Sequence, residues 1–251
     1  MTKSNYSSQF GRTTYENEIN EYKDAFEGFQ GYSTESLCLL FKHIDLMLVE
    51  NQKVNITNIL DFDKAVYLHL YDSLLGVDAL LSSSDGNFID LGSGAGFPGI
   101  PLTLFSNRHS VLIDSSKKKA EALKRIVSGL GLANRMKIKA VRAEEESLKR
   151  PNEYTAVCVR AVGSLVSLME LASPLLQNNG LIIAYKGPNY HKEYEDALKM
   201  KEKLGYVVES ISEYVIPKVL VPRTIIVFKK ISTAYIKLPR KIGSAQNKPL
   251  K

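Results

Sequence analysis

Four glycines, Gly92, Gly94, Gly96 and Gly99, follow the acid that ends a short apolar run, Asn87-Phe-Ile-Asp90, and Pro98 stands among them. Glycines at this spacing let a ligand approach the backbone closely and allow positive φ. Pro98 suits a first helical turn, where its missing N–H has no intrahelical partner. A strand, a tight turn and a helix in this order make a cofactor cradle. Gly94-x-Gly96-x-x-Gly99 also fits the dinucleotide fingerprint, a weak signal on its own. Asp90 puts a carboxylate near the carboxyl edge of the sheet, where a cationic group is welcome, and the turn holds no Lys or Arg to meet a pyrophosphate. Val111-Leu-Ile-Asp114 then reads as the next strand, ending in an acid suited to a ribose diol, a feature both cofactors share. Together these residues favour S-adenosylmethionine, whose sulfonium and ammonium are positive, over a dinucleotide.

In an open α/β sheet the ligand sits beyond the carboxyl ends of the strands, so the other residues of interest are those ending strands: Arg142-Ala143-Glu144, Arg160-Ala161 and Lys186-Gly187. Asp114 has an alternative as the N-cap of the lysine-rich helix after it, and Ala143-Glu144 as a favourable acidic first turn. Arg160 and Lys186 end central strands, where a surface role is less natural. His69 and Asp72 share a helical face at i and i+3 and either face the site or satisfy each other's neighbours between helices. Cys38 and Cys158 sit in separate apolar stretches and read as buried thiols, and His43, His69, His109 and His191 show no ligand spacing, so no metal is expected.

The elements that must position these residues follow from periodicity. Residues 1–14 are polar and expected to be flexible. From 15 to 86, Leu37, Leu40, Phe41, Ile44 and Leu48, and again Val66, Leu70, Leu74 and Val77, recur at helical spacing and predict three helices in an N-terminal cap. Between 87 and 231 the pattern becomes strand–helix–strand. Strands are expected at 87–91, 109–114, 136–141, 154–160, 181–186, 206–212 and 223–229, with helices near 98–106, 116–130, 164–173 and 191–204. Apolar strands alternating with amphipathic helices imply an α/β, doubly wound, mostly parallel sheet. The lack of a helix between the last two strands adds an antiparallel edge hairpin, which distinguishes the class I methyltransferase form of this Rossmann-like fold from a dehydrogenase.

The chain has 251 residues and a net charge of +6. From Tyr214 onward there are nine basic residues and no acidic one, leaving 24 basic against 27 acidic before it, so the whole excess lies at the C-terminus. Residues 232–251 thus read as a basic tail, either merely solvated or docked on phosphates. No apolar run approaches the ~18 residues needed to span a bilayer, and the first residues lack a signal-peptide core. A cytoplasmic enzyme is expected.

Asp90-Leu-Gly-Ser-Gly-Ala-Gly-Phe-Pro-Gly-Ile-Pro, Asp114-Ser-Ser-Lys-Lys-Lys, Arg142-Ala-Glu, Arg160-Ala-Val and Lys186-Gly, in this order, resemble the bacterial 16S ribosomal RNA guanine-N7 methyltransferase family. Asn55-Ile-Thr57, His69-x-x-Asp72-Ser73 and Leu238-Pro-Arg-Lys-x-Gly243 extend the likeness from about residue 37 to the C-terminus. One departure is that the chain has no tryptophan, where many members carry one before the Asn-x-Thr segment. The resemblance implies S-adenosylmethionine as cofactor, a guanine of small-subunit rRNA as acceptor, and cofactor contacts at Gly92, Gly94, Phe97, Asp114, Ala143, Glu144 and Arg160, beside Asp90. Guanine N7 carries a free lone pair, so transfer needs alignment rather than a strong base. Arg160, Lys186 and Arg223 are the residues expected around the guanine and its phosphates. The alternatives are a nicotinamide-dependent oxidoreductase, favoured by the glycine spacing alone, and a non-catalytic RNA-binding assembly factor. A monomer acting on 16S rRNA or the small subunit, away from membranes, is the expected form.

Overall fold

A computed structural model describes residues 14–251, so the segment expected to be flexible lies, apart from Thr14, outside the described residues. β1 (Phe88–Leu91), β2 (Ser110–Ile113), β3 (Met136–Lys139), β4 (Tyr154–Arg160), β5 (Leu176–Lys186), β6 (Tyr206–Ile216) and β7 (Val221–Lys230) form one sheet in the order β3-β2-β1-β4-β5-β7-β6. The first five strands run parallel, and β7 runs antiparallel between β5 and β6. The chain starts in the middle of the sheet, winds out to β3 and returns to β4. The switch between β1 and β4 therefore opens a crevice at the carboxyl ends of the strands.

Alternation along β1 divides the core. Phe88 faces a layer holding α1 (Glu16–Phe26), α2 (Thr34–Asn51), α3 (Phe62–Ala65), α4 (Asp72–Leu74), α5 (Val77–Ser82), α6 (Gly99–Ser106) and α7 (Lys117–Gly129). Ile89 and Leu91 face α8 (Ala143–Lys149), α9 (Leu165–Ala172) and α10 (His191–Leu204) on the other side. A short last helix, α11 (Ser244–Asn247), joins this second layer through the buried Ala245.

The helical cap shares the first layer's core rather than standing apart. Leu37, Phe41 and Ile44 of α2 pack in one cluster with Ile100 of α6 and Leu123 of α7. Arg125 of α7 donates two hydrogen bonds to Glu50 of α2, at 3.0 and 2.7 Å. The Tyr185 hydroxyl at the end of β5 donates to the Ser73 carbonyl at 2.5 Å, and Gly76 leaves the room that this ring needs. Three cap helices were expected, but the third is interrupted: Val66–Tyr71, between α3 and α4, is π-helical. Such turns add a residue and re-aim the side chains beyond them.

The strand expectations shift at their ends. β5 starts at Leu176, because Gln177-Asn-Asn-Gly180, which reads as a turn, is an irregular strand start with Asn179 at φ +65°. β3 stops at Lys139, and β6 and β7 run on to a hairpin tip at 217–220.

Candidate active site at the carboxyl edge of the sheet

The glycine turn begins with two amides on one acceptor: the N–H groups of Gly92 and Ser93 both donate to Ile113 O of β2. Gly92, Gly94 and Gly96 all have positive φ, at +73°, +54° and +99°. A side chain at Gly94 would meet nothing closer than 4.0 Å, so the space above the turn is open. It is a cradle that any Cβ would fill. Asp114 follows β2 and ties the turn down, with Oδ2 accepting from Gly94 N at 3.2 Å and Oδ1 from Ser116 N at 2.8 Å. The helix-capping alternative for Asp114 does not hold, because α7 is capped by Ser116, which accepts from Lys119 N.

Asp90 departs from its expected pose. Its neighbours Ile89 and Leu91 take the second face, so its side chain turns under the loop into the first layer, where it is fully buried. There Oδ2 accepts from Gly99 N at 2.9 Å, and Oδ1 has no partner. Burial pushes its carboxyl up to about 7, only partly offset by the hydrogen bond from Gly99 and by the charge of Arg160, while Ser93 Oγ donates to the Asp90 backbone carbonyl at 3.2 Å. An orphaned acceptor beneath the turn suits the cationic end of S-adenosylmethionine and gives a pyrophosphate nothing. The donor set therefore fits that cofactor.

Beyond Asp114 the crevice continues as a cleft lined by Leu91, Gly92, Ile113, Ala143, Glu144 and Gln246, among others. Ala143 and Glu144 both open α8 and line this cleft, so a place in the first helical turn does not take them away from the crevice. Glu144 is buried and its Oε1 accepts from Gly243 N at 2.7 Å.

On the other side of the turn lies a cluster that local sequence does not disclose. The Phe97 ring, 4% exposed, is stacked between His43 and His69 at centroid distances of 4.3 and 4.4 Å, with the Arg160 guanidinium 5.4 Å from its centre. Both faces of Phe97 are thereby used, which leaves its backbone rather than its ring for a cofactor. His43 Nε2 donates to Ala95 O at 2.8 Å. Arg160 Nη2 donates to His69 Nδ1 at 3.2 Å, so the His69 proton sits on Nε2 and goes to Thr57 Oγ1 at 2.9 Å. Burial pushes His43 down to about 4, and burial with the Arg160 charge pushes His69 down to about 3. Both rings are neutral at physiological pH.

Asp72, 1% exposed, joins two of the three predicted cations: Oδ2 accepts from Arg160 Nη1 and Oδ1 from Arg223 Nε, both at 3.0 Å. Arg160 also donates to Leu68 O of the π-helical turn. Lys186 is not brought to this pair. Its Nζ donates to Glu193 Oε2 at 2.7 Å and to Gly163 O at 3.0 Å, which clamps it to the start of α10. The reading of Asn55-Ile-Thr57 gains a mechanism here, since Asn51 Oδ1 accepts from the N–H groups of Ile56 and Thr57 and so presents Thr57 to His69.

The basic tail is no free end. Arg240 donates to both carboxylate oxygens of the buried Glu170 at 2.6 Å, and Ser167 Oγ donates to Ala245 O at 2.7 Å. Lys230, also counted in the basic excess, is buried with its Nζ on Asn152 Oδ1 and the carbonyls of Ser173 and Leu176. Docking on phosphates therefore falls to fewer cations than composition implies. Among the described residues, no group of three or more His, Cys, Asp or Glu is placed to hold a metal ion, and no helix is long and apolar enough to cross a membrane.

Comparison with known proteins agrees with this geometry. The family profile described as rRNA small subunit methyltransferase G matches residues 37–221. A ribosomal RNA small subunit methyltransferase G of Acetivibrio thermocellus is 33% identical over 94% of this chain and 99% of its own length. One of Nostoc punctiforme is 36% identical over 82% of this chain and 87% of its own. In three dimensions, a Pyrococcus horikoshii transferase superposes with a TM-score of 0.52 at 12% identity over 64% of each chain, a likeness of fold alone. The match removes the nicotinamide alternative: the chain belongs to the rRNA small subunit methyltransferase G family.

Proposed function

We propose that this protein methylates N7 of a guanine in 16S rRNA of the small ribosomal subunit, acting in the cytoplasm as a monomer. The reading is carried by Arg160 and Arg223, gathered on one buried carboxylate beside the glycine turn. Bound S-adenosylmethionine supplies an electrophilic methyl group. Gly92 and Gly94 would allow its close approach, Asp114 would take the ribose hydroxyls, Ala143 and Glu144 would line the purine end, and Asp90 Oδ1 would answer the positive end from beneath.

The acceptor needs no deprotonation, since N7 attacks through its own lone pair. The residues' task is orientation: Arg160 and Arg223 retain N–H groups for guanine O6 and phosphate oxygens, while Asp72 fixes the angle between them. The neighbouring histidines fit this chemistry, because both are neutral and engaged in structural hydrogen bonds. Lys186 contributes through its Glu193 pair, holding the segment after β5 against Gly163.

The test is labelled methyl transfer from S-adenosylmethionine to small subunits that lack the modification, followed by borohydride–aniline cleavage, which cuts at N7-methylguanine. One methyl per subunit and a single cut support the proposal. Label on another atom, or on the protein alone, overturns it.

A further inference from the structure

Residues 240–247 cross the second layer and end against the cleft. Three anchors hold them: Arg240 on Glu170, Ser167 Oγ on Ala245 O, and Gly243 N on Glu144 Oε1. Gly243 has φ +79°, a conformation that favours glycine, and that turn aims its N–H at the carboxylate. Gln246 lines the same cleft as Gly92, Ile113, Ala143 and Glu144, and its Oε1 accepts from Arg142 Nη1 at 3.3 Å.

We infer that this C-terminal strap is part of the nucleoside-binding wall: it positions Glu144 and places the Gln246 carboxamide at the purine end of the cleft. The inference rests on the cofactor reading above. Asp114 marks the ribose, so the cleft running from it past Ile113 to Ala143 and Glu144 receives the base. With Oε1 of Glu144 taken by Gly243, Oε2 is left to accept from a donor on the ligand, and an exocyclic amine is such a donor. A glutamate unrestrained at the first turn of α8 samples several rotamers, and the strap removes that freedom before the ligand arrives. Strap and α8 therefore form one preorganised surface, although their sequence positions lie about a hundred residues apart.

Two variants test this in the full chain. Gln246→Ala removes an exposed carboxamide and carries little risk to folding. Glu170→Met with Arg240→Met releases the strap without leaving a buried carboxylate unpaired. Calorimetric Kd is measured for S-adenosylmethionine and for 5′-methylthioadenosine, which has the nucleoside but no amino-acid end, and thermal melting of the ligand-free proteins checks the fold. We expect the double variant to weaken both ligands by a similar factor of about ten, the loss of one good hydrogen bond. For Gln246→Ala a smaller loss, about threefold, and an unchanged melting temperature are expected. Unchanged Kd values in both variants, with the wild type binding normally, overturn the inference. So does a loss for S-adenosylmethionine with none for the nucleoside. A wild type that binds neither ligand overturns the cofactor reading, and this inference with it.

Discussion

Replacing Asp90 by Asn separates the electrostatics of the glycine turn from its shape. The carboxyl is buried and pushed up to about 7 from an ordinary value near 3.8. A group whose pKa is raised on folding contributes stability that is full below the unfolded value and is lost as pH rises through the folded one. The span of about three units corresponds to roughly 4 kcal/mol in all, of which about 3 kcal/mol falls between pH 5 and pH 8. Asn cannot titrate, so Asp90→Asn is free of this dependence. Asn Oδ1 can still accept from Gly99 N, but its amide donors enter the place of the orphaned Oδ1, at a cost of about 1–3 kcal/mol. The two effects nearly cancel at pH 5 and leave the variant about 1–3 kcal/mol more stable at pH 8, so the pH profile is the informative quantity. His43 and His69, held below their ordinary value, act in the opposite sense: their contribution is present above about 6.5 and is lost as pH falls toward 4. They are the same in both proteins and cancel in the difference. Urea unfolding of wild type and Asp90→Asn at intervals from pH 5 to 8.5 gives that difference directly. We expect the variant to gain about 3 kcal/mol relative to wild type as pH rises from 5 to 8 and little beyond. In parallel, wild-type affinity for the cationic cofactor rises with pH from 6 to 8, and in the variant it is weak and flat. Parallel stability curves would refute the raised pKa assigned to the buried acid under the turn.

Asp114→Ala removes the acceptor of Gly94 N and Ser116 N and the ribose contact. Charge-assisted hydrogen bonds of ~1.5–3 kcal/mol each predict a ten- to several-hundred-fold weaker S-adenosylmethionine Kd by calorimetry with the fold retained. Asp72→Ala leaves Arg160 and Arg223 without their shared carboxylate; urea unfolding should show a loss of about 2–4 kcal/mol, and KM for the RNA should rise more than Kd for the cofactor. With cofactor prebound, single-turnover methyl transfer should be nearly flat from about pH 6.5 to 8.5, because N7 needs no base and both site histidines stay neutral there. A slope of one log unit per pH unit would expose a general base outside the proposed set.

The glycine turn, Asp114 and the Ala143-Glu144 step were legible because each is a local strand–turn–helix event, governed by residues within a few positions. The sheet and its final hairpin were legible for the same reason, from apolar runs and the missing helix between β6 and β7. Arg160 and Arg223 were expected at one place, but the carboxylate that joins them was not legible, since it depends on the sheet order that brings β4 near β7 and on a π-helical turn that sets Asp72 between them. His43 carried a readable hint, lying among Leu40, Phe41 and Ile44 on the apolar face of α2, where a buried histidine must find a partner. The inward turn of Asp90 follows from strand alternation, which places it opposite Ile89 and Leu91. The tail misled because its charge outweighed its apolar content. Ile236, Leu238, Ala245 and Leu250 all pack on the second layer, and Arg240 answers a buried glutamate 70 positions away.

Mass spectrometry of 16S rRNA from cells with and without the gene tests the central claim most directly. One guanine fully methylated at N7 in the presence of the gene, unmethylated in its absence, and restored by the wild-type chain but not by Asp114→Ala is the predicted result. The same N7-methylguanine content in both strains would contradict it.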